Sequence, residues 1–231
     1  MSNILLIETA TKVCSVGLIQ GNKIIALRED NSMQYSHSSL LTSFIEEVVK
    51  EAGIGFHELD AVAVSKGPGS YTGLRIGVSA AKGLCYALDI PLIAVNTLQS
   101  LAATAVESGT VQADFFVPMI DARRMEVYNA VYDKSLKETR ETVAEIIDEN
   151  AFSNFLEKGK VAFFGDGAPK CKDVISHTNA LFYDDIHPGV KGLMNFTLDK
   201  FIQKQFENLA YFEPFYLKDF VAGKPKVKGL H

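Results

Sequence analysis

A pattern of strands and turns that occurs twice along the chain is the feature that most constrains its fold. An apolar run ending at Glu8 is followed by a short turn and by an alternating strand that reaches Gln20. The run ending at Asp121 is followed by the same two features. Each half then has a short apolar strand that leads into a glycine loop, at 66–77 and at 165–167. Two halves with the same order of features predict a duplicated fold.

The first hundred residues predict three strands followed by alternating helices and strands, in the order β-β-β-α-β-α-β. Ser36 or Ser38 can cap the first helix, Gly53 is placed to end it, and Thr97 is placed to cap the last helix. The predicted strands are 4–9, 14–20, 23–29, 61–65 and 91–96, and the predicted helices run to about 52, over 72–88 and over 97–106.

The second half is predicted to be smaller and less regular. Its predicted elements are two strands within 117–132, a helix at 143–158, a strand at 161–164, an irregular stretch at 173–191 and an amphipathic helix at 192–209. The chain therefore divides into an N-terminal lobe (1–106), a second lobe (107–191), a helix (192–209) that packs back on the first lobe, and an extended tail (210–231).

The composition is that of a globular protein with a sizeable core, since 47% of the 231 residues are hydrophobic and 22% are charged. The net charge of −5 argues against a broad basic surface for nucleic acid. Three widely spaced cysteines without a C-x-x-C pair predict reduced, buried thiols. We see no signal peptide and no segment of transmembrane length, so we expect a cytoplasmic protein without membrane contact.

The glycine loop at 66–77 predicts a tight turn between a strand and a helix. Free N–H groups at the start of the helix point into the crevice at the strand end, where an anion could sit. The loop lacks the Lys-Ser/Thr ending of a P-loop, and Pro68 removes one donor. The residues alone therefore favour a structural turn and leave a ligand loop open. The candidate residues are Gly67, Gly69, Ser70 and Gly73.

The first two helices carry more apolar residues than one sheet face requires. An apolar stripe of about 100° is enough to face a sheet, and both helices exceed it. Part of their surface could therefore serve a partner, although internal packing explains the same pattern. The candidate partner interface consists of Leu40, Leu41, Phe44, Ile45 and Val48 in the first helix, and Leu74, Val78, Ala81 and Cys85 in the second.

The layout resembles the actin, sugar kinase and heat-shock ATPase superfamily, in which two ribonuclease-H-like lobes face each other and ATP lies between them. A closer resemblance to the bacterial TsaB family is carried by four stretches that span nearly the whole chain. They are Ile7-Glu8-Thr9-Ala10-Thr11 with Cys14-Ser15-Val16, the glycine loop at 67–77, Asp121-Ala122-Arg123 with Glu126-Val127-Tyr128, and Pro214-Phe215-Tyr216-Leu217.

TsaB proteins are similar to the catalytic TsaD family, once labelled M22 glycoproteases. In that family two metal-binding histidines, four residues apart, follow a Pro-Leu-Ile-Gly-Val-Asn-type strand. This chain has such a strand at 91–96, but Thr97 and Leu101 occupy the histidine positions. Threonine is a poor metal ligand and leucine cannot bind a metal. The resemblance therefore implies that this chain has no metal site.

The resemblance implies a non-catalytic scaffold subunit in tRNA threonylcarbamoyladenosine modification. Such chains pair through their first two helices with a TsaD-like catalytic subunit, and a TsaE-like ATPase joins them. The same helices can hold a homodimer when the partner is absent. The expected contact with tRNA is only through the complex, and the expected protein has no cofactor and performs no bond chemistry.

Three other functions compete with this interpretation. An ATPase or small-molecule kinase would use the cleft between the lobes, where Glu8 and Asp121 could orient a magnesium-bound nucleotide by fold analogy. A second alternative is a zinc peptidase, which is what the old glycoprotease label means. A third is a direct tRNA-binding module, which the acidic net charge disfavours because RNA phosphate is also negative. The candidate residues of a vestigial nucleotide cleft are Glu8, Gly67, Gly69, Ser70, Gly73, Asp121, Gly165 and Gly167.

Overall fold

The computed structural model describes residues 1–32 and 37–218. Its first sheet, sheet A, is mixed and five-stranded: β1 (Asn3–Glu8), β2 (Cys14–Gln20), β3 (Lys23–Asp30), β4 (Ala61–Gly67) and β5 (Leu92–Asn96). The strand order is β3-β2-β1-β4-β5, with β1 antiparallel to β2 and parallel to β4. Ser36, one of the predicted helix caps, lies outside the described residues, as does the end of the predicted extended tail at 219–231.

The second sheet, sheet B, repeats this arrangement. It consists of β6 (Phe115–Asp121), β7 (Glu126–Asp133), β8 (Glu138–Ile146), β9 (Val161–Phe164) and β10 (Ala180–Tyr183). The order is β8-β7-β6-β9-β10, with β6 antiparallel to β7 and parallel to β9. Strand order and strand direction match those of sheet A, which confirms the predicted α/β fold of duplicated ribonuclease-H-like lobes.

The helices on either side of β4 are much longer than those on either side of β9. They are α1 (His37–Glu51), α2 (Tyr71–Leu88), α3 (Thr97–Glu107), α4 (Ser153–Leu156) and α5 (Val190–Ile202), with short 3₁₀ turns at Phe56–Glu58 and Pro169–Cys171. Asn96, rather than the predicted Thr97, caps α3, because its extended backbone lets its side chain accept the N–H groups of Leu98 and Gln99. No helix among the described residues is long and apolar enough to cross a membrane.

The elements stack in five layers. Helices α1 and α2 cover one face of sheet A, and α5 covers the other. Helix α3 packs against sheet B and contacts α5, so these two helices lie between the sheets. The outer face of sheet B is covered by α4 and by the turns around 168–175. The loops at the carboxyl ends of the central strands of both sheets are thereby brought to a common cleft.

The predicted helix over 143–158 is wrong. Residues up to Ile146 continue β8, where Val143 pairs with Asn129 of β7. The turn before β8 is fixed by the carboxylate of Asp133, which accepts the N–H groups of Ser135 and Lys137. The open edge of β7 therefore determines the conformation of this segment, and only the four residues of α4 are helical.

The C-terminal helix was also misplaced. It begins at Val190 and ends at Ile202, seven residues before the predicted end at 209. Lys204 then takes a positive φ of 55°, and the N–H of Glu207 bonds to the carbonyl of Leu92 at 2.9 Å along the edge of sheet A. The predicted irregular stretch at 173–191 contains β10, which pairs in parallel with β9. Phe206, which lay inside the predicted helix, is 40% exposed because it lies beyond the end of the observed one.

Candidate functional site

A cleft of about 900 Å³ opens between the two halves. In open α/β sheets, ligands bind at the carboxyl ends of the strands, and the loops after β1, β4, β6, β9 and β10 line this cleft. A segment near the C-terminus completes the wall. The main lining stretches are 10–12, 68–72, 120–124, 165–166, 184–187 and 215–218.

Glu8 ends β1 but is fully buried and exposes no atom to the cleft. Its Oε1 accepts the N–H of Ala10 at 2.7 Å and the hydroxyl of Ser65 at 2.7 Å. Burial raises the pKa of Glu8 to about 7, and these two hydrogen bonds oppose the rise. The side chain therefore stabilises the turn after β1 and joins it to β4.

Asp121 occupies the matching place in sheet B and is exposed at the cleft. Its carboxylate accepts the N–H of Arg123 at 3.0 Å and forms an ion pair with Lys170. The ammonium group of Lys170 also donates to the carbonyls of Arg124 at 2.8 Å and Glu126 at 2.7 Å. One lysine thus satisfies the oxygen atoms of the β6–β7 turn that point inward.

Asp166 links the other loop of the second half to the same turn. Its Oδ1 accepts the N–H of Asp121 at 3.0 Å. Burial raises the pKa of Asp166, with the nearby Asp121 charge acting in the same direction and His187 and Lys12 opposing it. The carboxylates and cations of the cleft are thus mixed, and the cleft is not a purely cationic site for phosphate.

The candidate glycines are explained by close approaches between backbones. A Cβ on Gly69 would lie 2.3 Å from the carbonyl oxygen of Ala10, and one on Gly165 would lie 2.3 Å from that of Met119. A Cβ on Gly167 would lie 2.9 Å from the carbonyl carbon of Ile120. At Gly67, where φ is +114°, the obstacle would be the carbonyl oxygen of Phe215 at 2.7 Å. These positions require glycine whether or not the cleft holds a ligand.

The remaining two candidates of the glycine loop are part of the helix start. The hydroxyl of Ser70 accepts the N–H of Gly73 at 3.3 Å and thereby caps α2. The N–H of Ser70 bonds to the carbonyl of Ala10 at 2.6 Å, so the loop is tied to the turn after β1. Ser70 lies at the cleft wall, and its side chain already serves the helix.

Thr97 and Leu101, which the resemblance aligns with the two histidines of the catalytic family, are both fully buried. The hydroxyl of Thr97 accepts the N–H of Gly67 at 3.1 Å, so it fixes the glycine loop on β5. Leu101 belongs to the core between α3 and sheet B. Within 1–32 and 37–218, no group of three His, Cys, Asp or Glu side chains is arranged to hold a metal ion.

Most of the predicted partner interface lies in the core of this chain. Seven of the nine side chains are at most 5% exposed and pack against sheet A, so their assignment to a partner surface is wrong. Leu40 and Phe44 alone among the nine are half-buried at the surface. The apolar stripe on each helix is wide enough to cover two surfaces, and the residues at its centre pack against sheet A. The seven are Leu41, Ile45, Val48, Leu74, Val78, Ala81 and Cys85.

Lys170, Asp166 and the contact between Tyr71 and Tyr216 were not identified from the sequence. Asp166 stands between two glycines that were identified, so the Gly-Asp-Gly sequence was an available signal. Tyr71 lies in the glycine loop and Tyr216 in one of the stretches that carry the family resemblance, but their ring contact joins residues 145 positions apart. Nothing in the local sequence predicts such a contact.

A family model described as TsaD, tRNA N6-adenosine threonylcarbamoyltransferase, matches residues 31–225. The tRNA threonylcarbamoyladenosine biosynthesis protein TsaB of Haemophilus influenzae is 30% identical over 96% of this chain and 95% of its own length. The Escherichia coli protein of the same name is 28% identical over 96% of both chains.

Solved structures show the same fold. A Pseudomonas aeruginosa protein described as similar to peptidase YeaZ superposes with a TM-score of 0.84 at 23% identity, over 94% of this chain and 100% of the other. A second structure, YeaZ from Pseudomonas aeruginosa, gives a TM-score of 0.77 at 23% identity with the same coverage. The match to the family model and the identity with the TsaB relatives show that this chain is similar to them in sequence as well as in fold. The chain belongs to the TsaB family.

Proposed function

We propose that the chain is a subunit in tRNA threonylcarbamoyladenosine biosynthesis and acts by pairing with a TsaD-like catalytic subunit. The names of the curated relatives support the pathway. The observation that carries the pairing is an apolar, partly exposed stripe on α2, made of Ile76, Ala80, Gly83, Leu84 and Ala87, beside the side that α2 already buries against sheet A. An exposed face of this kind is typical of a protein-binding surface.

The pairing face consists of the outward residues of α2 and the adjoining edge of α1. Tyr86 is 84% exposed, and Gly83 and Ala87 beside it are also exposed. Small residues let a partner helix approach closely, and the half-buried residues between them add apolar area. The pairing face is made of Leu40 and Phe44 of α1 and of Ile76, Ala80, Gly83, Leu84, Tyr86 and Ala87 of α2.

The role of this subunit is structural rather than catalytic. Thr97 and Leu101 replace the two histidines that hold the metal in the catalytic family, and both are committed to the core. Glu8 is committed to the turn after β1. The side chains that could have kept an active site in this chain therefore hold loops and sheets together.

The same face serves the other expected assemblies. A homodimer forms through it when the catalytic partner is absent, because an apolar surface lowers its free energy by association. A TsaE-like ATPase joins the pair, and tRNA is held by the assembled complex. The net charge of −5 supports this last point, since a chain with that charge attracts RNA phosphate weakly by itself.

An omission assay tests the proposed pathway. Transfer RNA, threonine, bicarbonate, ATP and the other pathway proteins are combined with or without this chain, and labelled threonine is followed into tRNA. We expect incorporation to require this chain, and we expect the chain alone to transfer nothing. Full incorporation without it would contradict the proposal.

A surface variant tests the pairing face. No atom lies within 4 Å of a Cβ placed on Gly83, so Gly83→Arg is accommodated in the free chain and blocks helix contact. We expect it to abolish co-purification with the TsaD-like subunit, whereas Glu141→Arg, on the exposed part of β8, retains it. Circular dichroism verifies that both variants fold. An intact complex with a folded Gly83→Arg variant would overturn the assignment.

A further inference from the structure

The C-terminal segment crosses the cleft and contacts both halves of the molecule. We propose that residues 213–218, the strap, tie the two halves together and fix the width of the cleft. The strap holds its place through a backbone hydrogen bond, a ring contact and an ion pair. This inference is independent of the pairing face, which lies on α1 and α2.

The strap is fixed on the first half at the glycine loop. The N–H of Phe215 donates to the carbonyl of Lys66 at 2.7 Å, so the strap lies beside the carboxyl end of β4. The carbonyl of Phe215 lies so close to Gly67 that a Cβ there would be 2.7 Å away. The ring of Tyr216 then packs on that of Tyr71, with a centroid distance of 5.1 Å.

The strap reaches the second half through Lys218. Its ammonium group forms an ion pair with Glu126 at the start of β7, and the two side chains are 40% and 25% exposed. Burial raises the pKa of Tyr128, which lines the cleft, and the charge of Lys218 opposes the rise. Two residues after its ring contact with the first half, the strap is therefore held by the second.

A buried joint connects the halves independently of the strap. Helix α5 packs on sheet A, α3 packs on sheet B, and the two helices contact each other. Gly192 permits this contact, since a Cβ there would lie 2.1 Å from the carbonyl oxygen of Ser100. The joint is buried around Ser100 and Gly192 and includes a hydrogen bond from Asn195 of α5 to Glu107 of α3 at 2.7 Å, whereas the ion pair of the strap is partly exposed and contributes little. The strap is thus the connection that can open while the fold is kept.

Release of the strap would change the cleft directly. Residues 215–218 form part of its wall, so their departure widens it and uncovers Gly67 and Tyr71. Anything that competes for the strap, such as a partner segment that pairs with the carbonyl of Lys66, would alter the separation of the halves.

Spin labels placed across the cleft test this proposal. Cys14, Cys85 and Cys171 are all buried, so cysteines introduced at exposed Glu29 of the first half, away from the pairing face, and at exposed Lys172 of the second are labelled selectively. Double electron–electron resonance then measures the distribution of distances between the halves. The strap ion pair is broken with Lys218→Glu or Glu126→Lys and restored in the swapped double variant. The control is Lys134→Glu, which breaks an exposed ion pair with Asp114 within the second half.

We expect both single variants to broaden the distance distribution, the swapped variant to return it to that of the wild type, and the control to leave it unchanged. Amide exchange gives a second readout at the first half. In Lys218→Glu the N–H of Phe215 should exchange about fivefold faster, which corresponds to about 1 kcal/mol. Identical distributions in the wild type and in folded Lys218→Glu would overturn the proposal. So would a swapped variant as broad as the single variants.

Discussion

The two halves of this protein share a strand order but cover their sheets differently. In the first half, the segments before and after β4 contain α1 of 15 residues and α2 of 18 residues. In the second half, the corresponding segments around β9 contain only α4 of four residues and a 3₁₀ turn of three. The duplication therefore preserved the sheets and the helix after the last strand of each, α3 and α5, but not the long helices before and after the central strand. The half that kept its long helices is the one on which we propose the pairing face.

The cores of the two halves compensate for this difference. Sheet A is buried under long helices with aliphatic side chains such as Val48 and Leu74. The outer face of sheet B has no long helix, and large rings fill the space instead: Phe163 packs on Phe152 and Phe182, and Phe115 packs on Phe155. Aromatic side chains bury more area each, so fewer elements are needed to close the sheet.

The largest expected effect comes from Phe163→Ala in β9. Its ring is fully buried, and the centroids of Phe152 and Phe182 lie 5.2 Å and 5.1 Å away. The cavity should lower the free energy of unfolding by about 3–5 kcal/mol. Val64→Ala in β4 removes less from the aliphatic core and should cost about 2 kcal/mol. Urea unfolding measures both, and equal losses would contradict the contrast between the cores.

The next effect depends on pH and follows from the burial of Glu8, since its counterpart in sheet B, Asp121, is exposed. Burial raises the pKa of Glu8 from 4.5 to about 7, so the folded state binds the proton more tightly than the unfolded chain. Relative to Glu8→Gln, the free energy of unfolding should be highest below pH 4.5 and should fall as pH rises through 7, by roughly 3 kcal/mol in total. Urea unfolding across this range measures it. A difference between the two proteins that does not vary with pH would show that Glu8 titrates alike in both states.

A smaller effect compares the glycine loops. Gly69→Ala places a Cβ 2.3 Å from the carbonyl oxygen of Ala10, and Gly167→Ala places one 2.9 Å from the carbonyl carbon of Ile120. Both should destabilise the chain, by about 2–3 kcal/mol at position 69 and about 1 kcal/mol at 167. Thermal unfolding ranks them. The reverse order would mean that the loop of the second half is the less adaptable of the two.

The smallest effect tests the helix that only the first half retains. Gly83 lies inside α2 with open space around it, so Gly83→Ala should stabilise the free chain by about 0.5–1 kcal/mol through helix propensity. Calorimetry of the isolated chain measures this change in stability. The Gly83→Arg variant described above tests pairing at the same position. A loss of stability on Gly83→Ala would show that α2 tolerates no side chain at this position.

The sequence predicted the first half well because strands and helices there alternate with clear periodicity and strong turn signals. In the second half it failed at 143–158, where Val143 to Ile146 read as helix but pair with the open edge of β7. Pairing across a sheet overrides local propensity, and no local pattern reports it.

The loops of the candidate site were found from their glycines and acidic residues, but their roles were not. Periodicity gives the width of an apolar stripe and not which part faces the sheet, so Leu41 and Leu74 were assigned to a partner. A double change such as Leu41→Asp with Leu74→Asp would unfold the chain instead of testing pairing. The contacts of Lys170 and Phe215 join distant parts of the chain and required the structure.

The crossed packing of α3 and α5 determines when the first half can finish folding during synthesis on the ribosome. Val190 and Leu193 of α5 close the face of sheet A opposite α1 and α2, although the strands of that sheet end at Asn96. A nascent first half therefore keeps one apolar sheet face open until some hundred further residues are made. Neither half can be produced as a finished domain by cutting the chain between the sheets. The second half would lack α3, and the first would lack α5.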